Sequence, residues 1–157
     1  MSKTFVDSFN DATCHVLKTM AAVDATPGKA TSKSSNKTWG AVTGIISMAG
    51  EEYSGSLAIS FEADTILKIV STMLMEEFTE INQDIVDAVG EITNMICGSA
   101  KRELDEKGYK FNMASPMIVS GKGVDIRQIT TNEAILVPFE SDKGSFVVES
   151  NFYKKRA

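Results

Sequence analysis

A chain of 157 residues, 43% of them apolar, is long enough for one domain with a real core, and the single domain is expected to span 1–157. No stretch approaches the ~18 apolar residues that a membrane span requires, so no membrane partner is expected. A net charge of −5 and a pI near 4.9 repel phosphate backbones, which excludes nucleic acid as an expected partner.

The N-terminal stretch "MSKTFVDSFNDATCHVL" mixes acids with its apolar residues and has no continuous hydrophobic region. It does not read as a secretory signal, and a cytoplasmic protein is expected. Phe5, Phe9, Ala12, Val16 and Met20 recur at helical spacing and predict a first helix from about Thr4 to Val23. Within it, Cys14 and His15 are neighbours whose side chains point about 100° apart, so they do not form a catalytic pair. Cys14, Cys97 and His15 are too few donors for a zinc site, and no metal site is expected.

"DATPGKATSKSSNKT" is polar and broken by Pro27 and Gly28, and reads as an exposed connection. "TWGAVTGIISMAG" and "EEYSGSLAISFE" predict two strands of a hairpin turning at Gly50-Glu51. A helix over "ADTILKIVSTMLM" is expected to start near Asp64, taken as the N-cap. A long helix follows from about Asn82 to Lys107, stopped by Gly108. The apolar period then changes to two, predicting three or four short strands with turns at Gly121-Lys122-Gly123, Thr131-Asn132 and Asp142-Lys143-Gly144. Helices and hairpins are grouped, which favours an α+β fold of helices packed on an antiparallel sheet. The C-terminal "YKKRA" reads as a solvated tail.

A faint duplication is visible. "FVDSFNDATCHVL", from Phe5, aligns with "IVDAVGEITNMIC", from Ile85, placing Asp7 under Asp87, Asp11 under Glu91 and Cys14 under Asn94. "GSLAISF" similarly resembles "GSFVVES". Two pseudo-symmetric helix-plus-hairpin halves are expected.

On the long helix, Ile85, Val89, Ile92, Ile96 and Ala100 form the side to be buried. Asp87, Glu91, Asn94, Gly98 and Lys101 fall nearly opposite, with Gly90 beside them. Such a stripe is either ordinary solvated helix or a surface that another molecule meets. Asn is a mediocre mid-helix residue and Gly a poor one, so both need a reason. Close approach by a partner and packing under a neighbouring loop each supply one. An amide is neither base nor nucleophile, but it can hold a water in one orientation. An exposed carboxylate is a weak base at neutral pH, better suited to pairing with a lysine or arginine. The pair suits a reaction whose water needs placing and whose leaving group needs no help, such as acyl-phosphate hydrolysis. There is no G-x-x-x-x-G-K to indicate nucleotide binding.

The run Asp87, Glu91, Asn94 and Pro116, of the form Asp-x3-Glu-x2-Asn-x21-Pro, resembles the signature of the CheC/CheX/FliY phosphatases of bacterial chemotaxis. The resemblance covers essentially the whole chain. With one intact motif, and Asp11 and Cys14 where a second Glu and Asn would stand, the chain is most similar to CheX. The resemblance implies a phosphatase acting on a phosphorylated, CheY-type response-regulator receiver domain. Glu91 would anchor to the receiver's lysine and Asn94 would align the attacking water. Asp87 would sit at the edge of the contact and Pro116 would shape the adjoining backbone; the helix stripe itself adds Gly90, Gly98 and Lys101 to the expected partner-binding surface. The chain would need no cofactor of its own, Mg2+ being expected in the partner receiver. A homodimer joined through edge strands is implied as well. The alternative is a non-catalytic module that binds a receiver or another signalling protein without hydrolysing anything.

Overall fold

The computed structural model describes residues 3–33, 35–126 and 134–155. Three helices, α1 (Lys3–Ala21), α2 (Ala63–Leu74) and α3 (Gln83–Glu106), pack with an antiparallel sheet. The sheet comprises β1 (Ala25–Pro27), β2 (Thr31–Lys33), β3 (Val42–Ala49), β4 (Tyr53–Phe61), β5 (Asn112–Met113), β6 (Met117–Ser120), β7 (Ala134–Ser141) and β8 (Phe146–Lys154). The α+β class expected from the grouped pattern is the one observed.

The two hairpins, β3–β4 and β7–β8, meet at the centre of the sheet, where β4 pairs with β8 along its whole length. The outer strands are exchanged. β1 and β2, which follow the first helix, line the far edge of β7, whereas β5 and β6, which follow α3, line the far edge of β3. The register steps in the same way at both edges. From Pro27↔Phe139 to Thr31↔Leu136 the outer strand advances four residues while β7 advances three. From Met113↔Met48 to Met117↔Ile45 the outer strand again gains one residue on its partner. An inserted residue at matching places, each with a proline beside it, is what a pseudo-twofold repeat predicts.

The helices carry the same repeat. Thr13 of α1 and Thr93 of α3 are both buried, and each hydroxyl donates to the carbonyl one turn back, Phe9 and Val89, at 2.7 Å. These residues are superposed by the alignment that sets Asp7 on Asp87. The helices run antiparallel, since Lys107 Nζ reaches Ser8 Oγ at 3.1 Å while Glu103, one turn earlier, faces Asp11, one turn later. Their apolar stripes close one core with Leu57, Ile59, Phe61, Phe139, Phe146 and Val148 of the sheet. Phe5 makes edge-to-face contacts with Tyr109, Phe111 and Phe152, pinning the chain after α3 onto the start of α1.

Three expectations change. The segment 24–38 is not simply a connection, because β1 and β2 lie in it. Their side chains are largely exposed, and main-chain bonds to β7 hold them, so the side-chain pattern carries no trace of them. The first helix ends at Ala21, before Val23. Ala22 turns left-handed (φ 52°) and Val23 N closes a bond to Leu17 O. Finally, Glu62 caps α2 through its backbone, leaving Asp64 in the first turn. The turns at Gly121–Gly123 and Asp142–Gly144 form as expected, with positive φ at Gly121, Gly123 and Gly144. Thr131-Asn132 lies outside the described residues.

Candidate active site on the long helix

Local sequence fixes where α3 starts and stops. Asn82 Oδ1 accepts from Ile85 N at 3.1 Å, capping the helix, and Asp84 places negative charge in its first turn. Gly108, with φ 92°, supplies the left-handed exit after Lys107.

A glycine sets the seating of α3 on the sheet. A Cβ at Gly44 of β3 would fall on the Thr93 hydroxyl oxygen, so only a bare Cα lets the helix approach β3 this closely. Thr93 points straight down at the strand, and Asn94, the next residue, is turned outward. Glu91, Asn94 and Asp87 are all exposed, on the side opposite the buried Ile85, Val89, Ile92 and Ile96. Glu91 and Asn94 lie one turn apart, with no hydrogen bond or ion pair among the described residues. The Asp87 carboxylate accepts from Gln83 Nε2 at 2.8 Å, within the same helix.

The two glycines part company. A Cβ on Gly90 would rest at 3.6 Å from Ile118 Cδ1 of β6, so Gly90 faces the protein's own sheet. At Gly98 a Cβ would meet nothing within 4 Å. Nothing inside the fold requires that glycine, although it costs roughly 1 kcal/mol of helix stability relative to alanine. Lys101 is half-buried at the side of the stripe. Pro116 is half-buried too, between β5 and β6, where the ladder to β3 is interrupted and an N–H is not needed.

Two residues belong to this surface that the sequence reading passed over. Met95 is four residues after Glu91 and is 41% exposed. Arg102 is exposed four residues after Gly98, on the Glu91 side of the stripe, across from Lys101. Helical spacing alone would have found both.

The first-half stripe is built differently. α1 has 19 residues and α3 has 24, and the extra turn of α3 runs across the lower stripe of α1. Glu103 and Lys107, which pair with each other at 3.2 Å, stand beside Asp11 and Ser8. Partial burial, then the charges of Glu103 and Asp7, hold the Asp11 carboxyl above its usual range. Cys14, in the place of Asn94, is half-buried and directs its Sγ to the Ala25 carbonyl at 3.4 Å. The position equivalent to Asn94 is thus taken up by a contact within the fold. Among the described residues no group of three or more His, Cys, Asp or Glu could hold a metal ion, and no helix is long and apolar enough to cross a membrane.

The sequence profile of the family described as "Chemotaxis phosphatase CheX" matches residues 42–140, which include Asp87, Glu91, Asn94 and Pro116. The chain belongs to the CheX family. A curated relative, the "CheY-P phosphatase CheX" of Thermotoga maritima, is 34% identical over 74 residues, covering 46% of this chain and 48% of the relative. The match thus spans about half the length of that curated relative. A solved CheC-like superfamily protein from Shewanella sp. PV-4 is 42% identical, covering 98% of this chain and 99% of that one, with a TM-score of 0.89. A complex of CheX with CheY, BeF3 and Mg2+ from Borrelia burgdorferi contains a chain 27% identical to this one, covering 97% and 98%, with a TM-score of 0.77. The CheX fold therefore extends over nearly the whole chain.

Proposed function

We propose that the chain, acting as a single cytoplasmic domain, is a phosphatase that accelerates hydrolysis of the aspartyl phosphate on a CheY-type receiver. The observation that carries this reading is the outward placement of Glu91 and Asn94, one turn apart and unengaged, on a helix seated close against β3 at Gly44. The name of the Thermotoga relative and the receiver in the Borrelia complex support the choice of substrate.

In this reading Glu91 pairs with the receiver's active-site lysine and fixes the docking angle. Asn94 enters the receiver's site and holds a water in line with the phosphorus. The water oxygen bonds to phosphorus, the bond from phosphorus to the aspartate oxygen breaks, and inorganic phosphate leaves with a free carboxylate behind. The receiver brings the phosphoaspartate and the Mg2+. Asp87 borders the contact and Pro116 shapes the adjoining edge. One well-held hydrogen-bonding group is worth roughly 2–4 kcal/mol of barrier, enough for a phosphate that is already labile. We also propose a homodimer formed through the sheet's outer strands, whose far edges are unpaired among the described residues.

A panel of phosphorylated receivers offered to the purified chain tests the reading. Faster phosphate release from at least one of them is expected. Tight binding to a receiver with no change in its decay would select the non-catalytic module instead.

A further inference from the structure

Past the catalytic pair, the outer face of α3 carries three features that the fold does not use. Met95 is exposed on a helix face whose other exposed residues are polar or glycine, and it flanks the stripe's centre line on the side opposite Asn94. Gly98 sits mid-helix, the poorest interior residue after proline, half-buried but with open space where a Cβ would stand. Arg102 makes no ion pair among the described residues, although Glu106 lies one turn further on and the chain carries a net −5. Lys101 beside it likewise makes no ion pair among the described residues, so the two cations stand together on the helix. An apolar knob, a bare patch of backbone and an unneutralised guanidinium thus follow one another along a single line that begins at Glu91.

We propose that Met95, Gly98 and Arg102 are the specificity-determining end of the site, a rail on which the receiver's surface beside its phosphoaspartate lies. This inference rests on the phosphatase reading. The occupant is a receiver segment with an apolar side chain to cover Met95 and a backbone that closes onto Gly98. It also carries a carboxylate for Arg102, placed about 12 Å along the helix from the Asn94 amide, eight residues on. The charge order along the rail, acidic at Glu91 and basic at Arg102, fits a partner with a lysine and a carboxylate in the opposite order, and a reversed partner is repelled at both ends. The two ends also divide the labour. Asn94 acts on the bond, while the rail decides which receiver reaches it in register.

The test uses the whole chain and the phosphorylated CheY-type receiver whose decay it accelerates most. Steady-state turnover gives KM and kcat for Met95→Ala, Gly98→Leu, Arg102→Lys and Arg102→Glu. Gly98→Leu and Arg102→Glu are expected to raise KM about ten-fold with kcat nearly kept, and Met95→Ala to raise it by less. Arg102→Lys should recover most of the loss, and in the Arg102→Glu variant added salt should raise KM less than in wild type, because it also screens the new repulsion. The melting temperature of Gly98→Leu should not fall, because leucine is the better helix former and its Cβ meets nothing within 4 Å. Wild-type KM in all of these variants, with turnover intact, would overturn the rail. If the wild-type chain speeds no receiver's decay, the phosphatase reading fails first. Direct binding of the same receivers to wild type and Arg102→Glu then decides the rail separately, equal affinity sinking it.

Discussion

Gly44 of β3 and Thr93 of α3 stand back to back, with no room for even a methyl group between them. The residue after Thr93 is Asn94, so the contact that seats the helix also sets the height of the amide proposed to position the water. Gly44→Ala is expected to push α3 off the sheet and cost about 1–3 kcal/mol, as overpacking does. Phosphatase activity should fall along with the melting temperature. Adding Thr93→Ala should recover part of both, since the nearest atom left to the new methyl would be the residue-93 Cβ at 3.0 Å. Thermal melts and receiver dephosphorylation on the two variants check this, and an active, stable Gly44→Ala would show that the seating is immaterial.

Asn94→Ala should reduce receiver dephosphorylation by roughly two to three orders of magnitude, the scale for one positioned donor. Its melting temperature should hold, because the side chain is exposed and bonds nothing. Glu91→Ala should act chiefly by weakening engagement, visible as a higher KM. Stopped-flow decay of a phosphorylated receiver separates the two effects.

Partial burial of Asp11, with Glu103 set acid beside acid, makes the folded state hold the Asp11 proton more tightly than the unfolded chain does. Stability from this group is therefore present at low pH and is lost as pH rises from the ordinary value of 3.8 through the raised one. Asp11→Asn should stabilise the protein at neutral pH by less than about 1 kcal/mol, since the site is exposed to screening solvent. It should leave dephosphorylation unchanged. Denaturant midpoints at pH 4 and pH 7 should converge at the acid end.

Burial pushes the Cys97 thiol up from 9.0 to about 12. Across the neutral range it stays protonated, so thiol alkylation of the native chain should spare it and leave activity intact. Above pH 9 the unfolded chain ionises this thiol while the folded one cannot, and stability should fall by up to about 1.4 kcal/mol per pH unit from this group. Cys97→Ala should flatten that slope in alkaline denaturation curves.

The helices were legible because their apolar residues recur at the helical period and their ends carry capping residues. Asn82 and Gly108 act where the pattern places them. The outward set of Asp87, Glu91, Asn94 and Gly98 followed from the same geometry. β1, β2 and β5 were not legible, because each is tied by main-chain pairing to one neighbour and shows mostly exposed side chains. The exchange of outer strands is invisible for the same reason, as no residue type encodes which hairpin a polar edge will join. Nor could spacing tell Gly90 from Gly98. One lies against Ile118 across a long loop of chain and the other against nothing, a distinction that exists only once the sheet is assembled.

The crossed outer strands carry a consequence for ancestry. Each half completes the other's hairpin, so a half-length chain on its own would leave its sheet open and would be whole only arm in arm with a twin. A pair of twins must wear identical stripes. In a single polypeptide the two stripes are free to differ, as Asp11 and Cys14 differ here from Glu91 and Asn94.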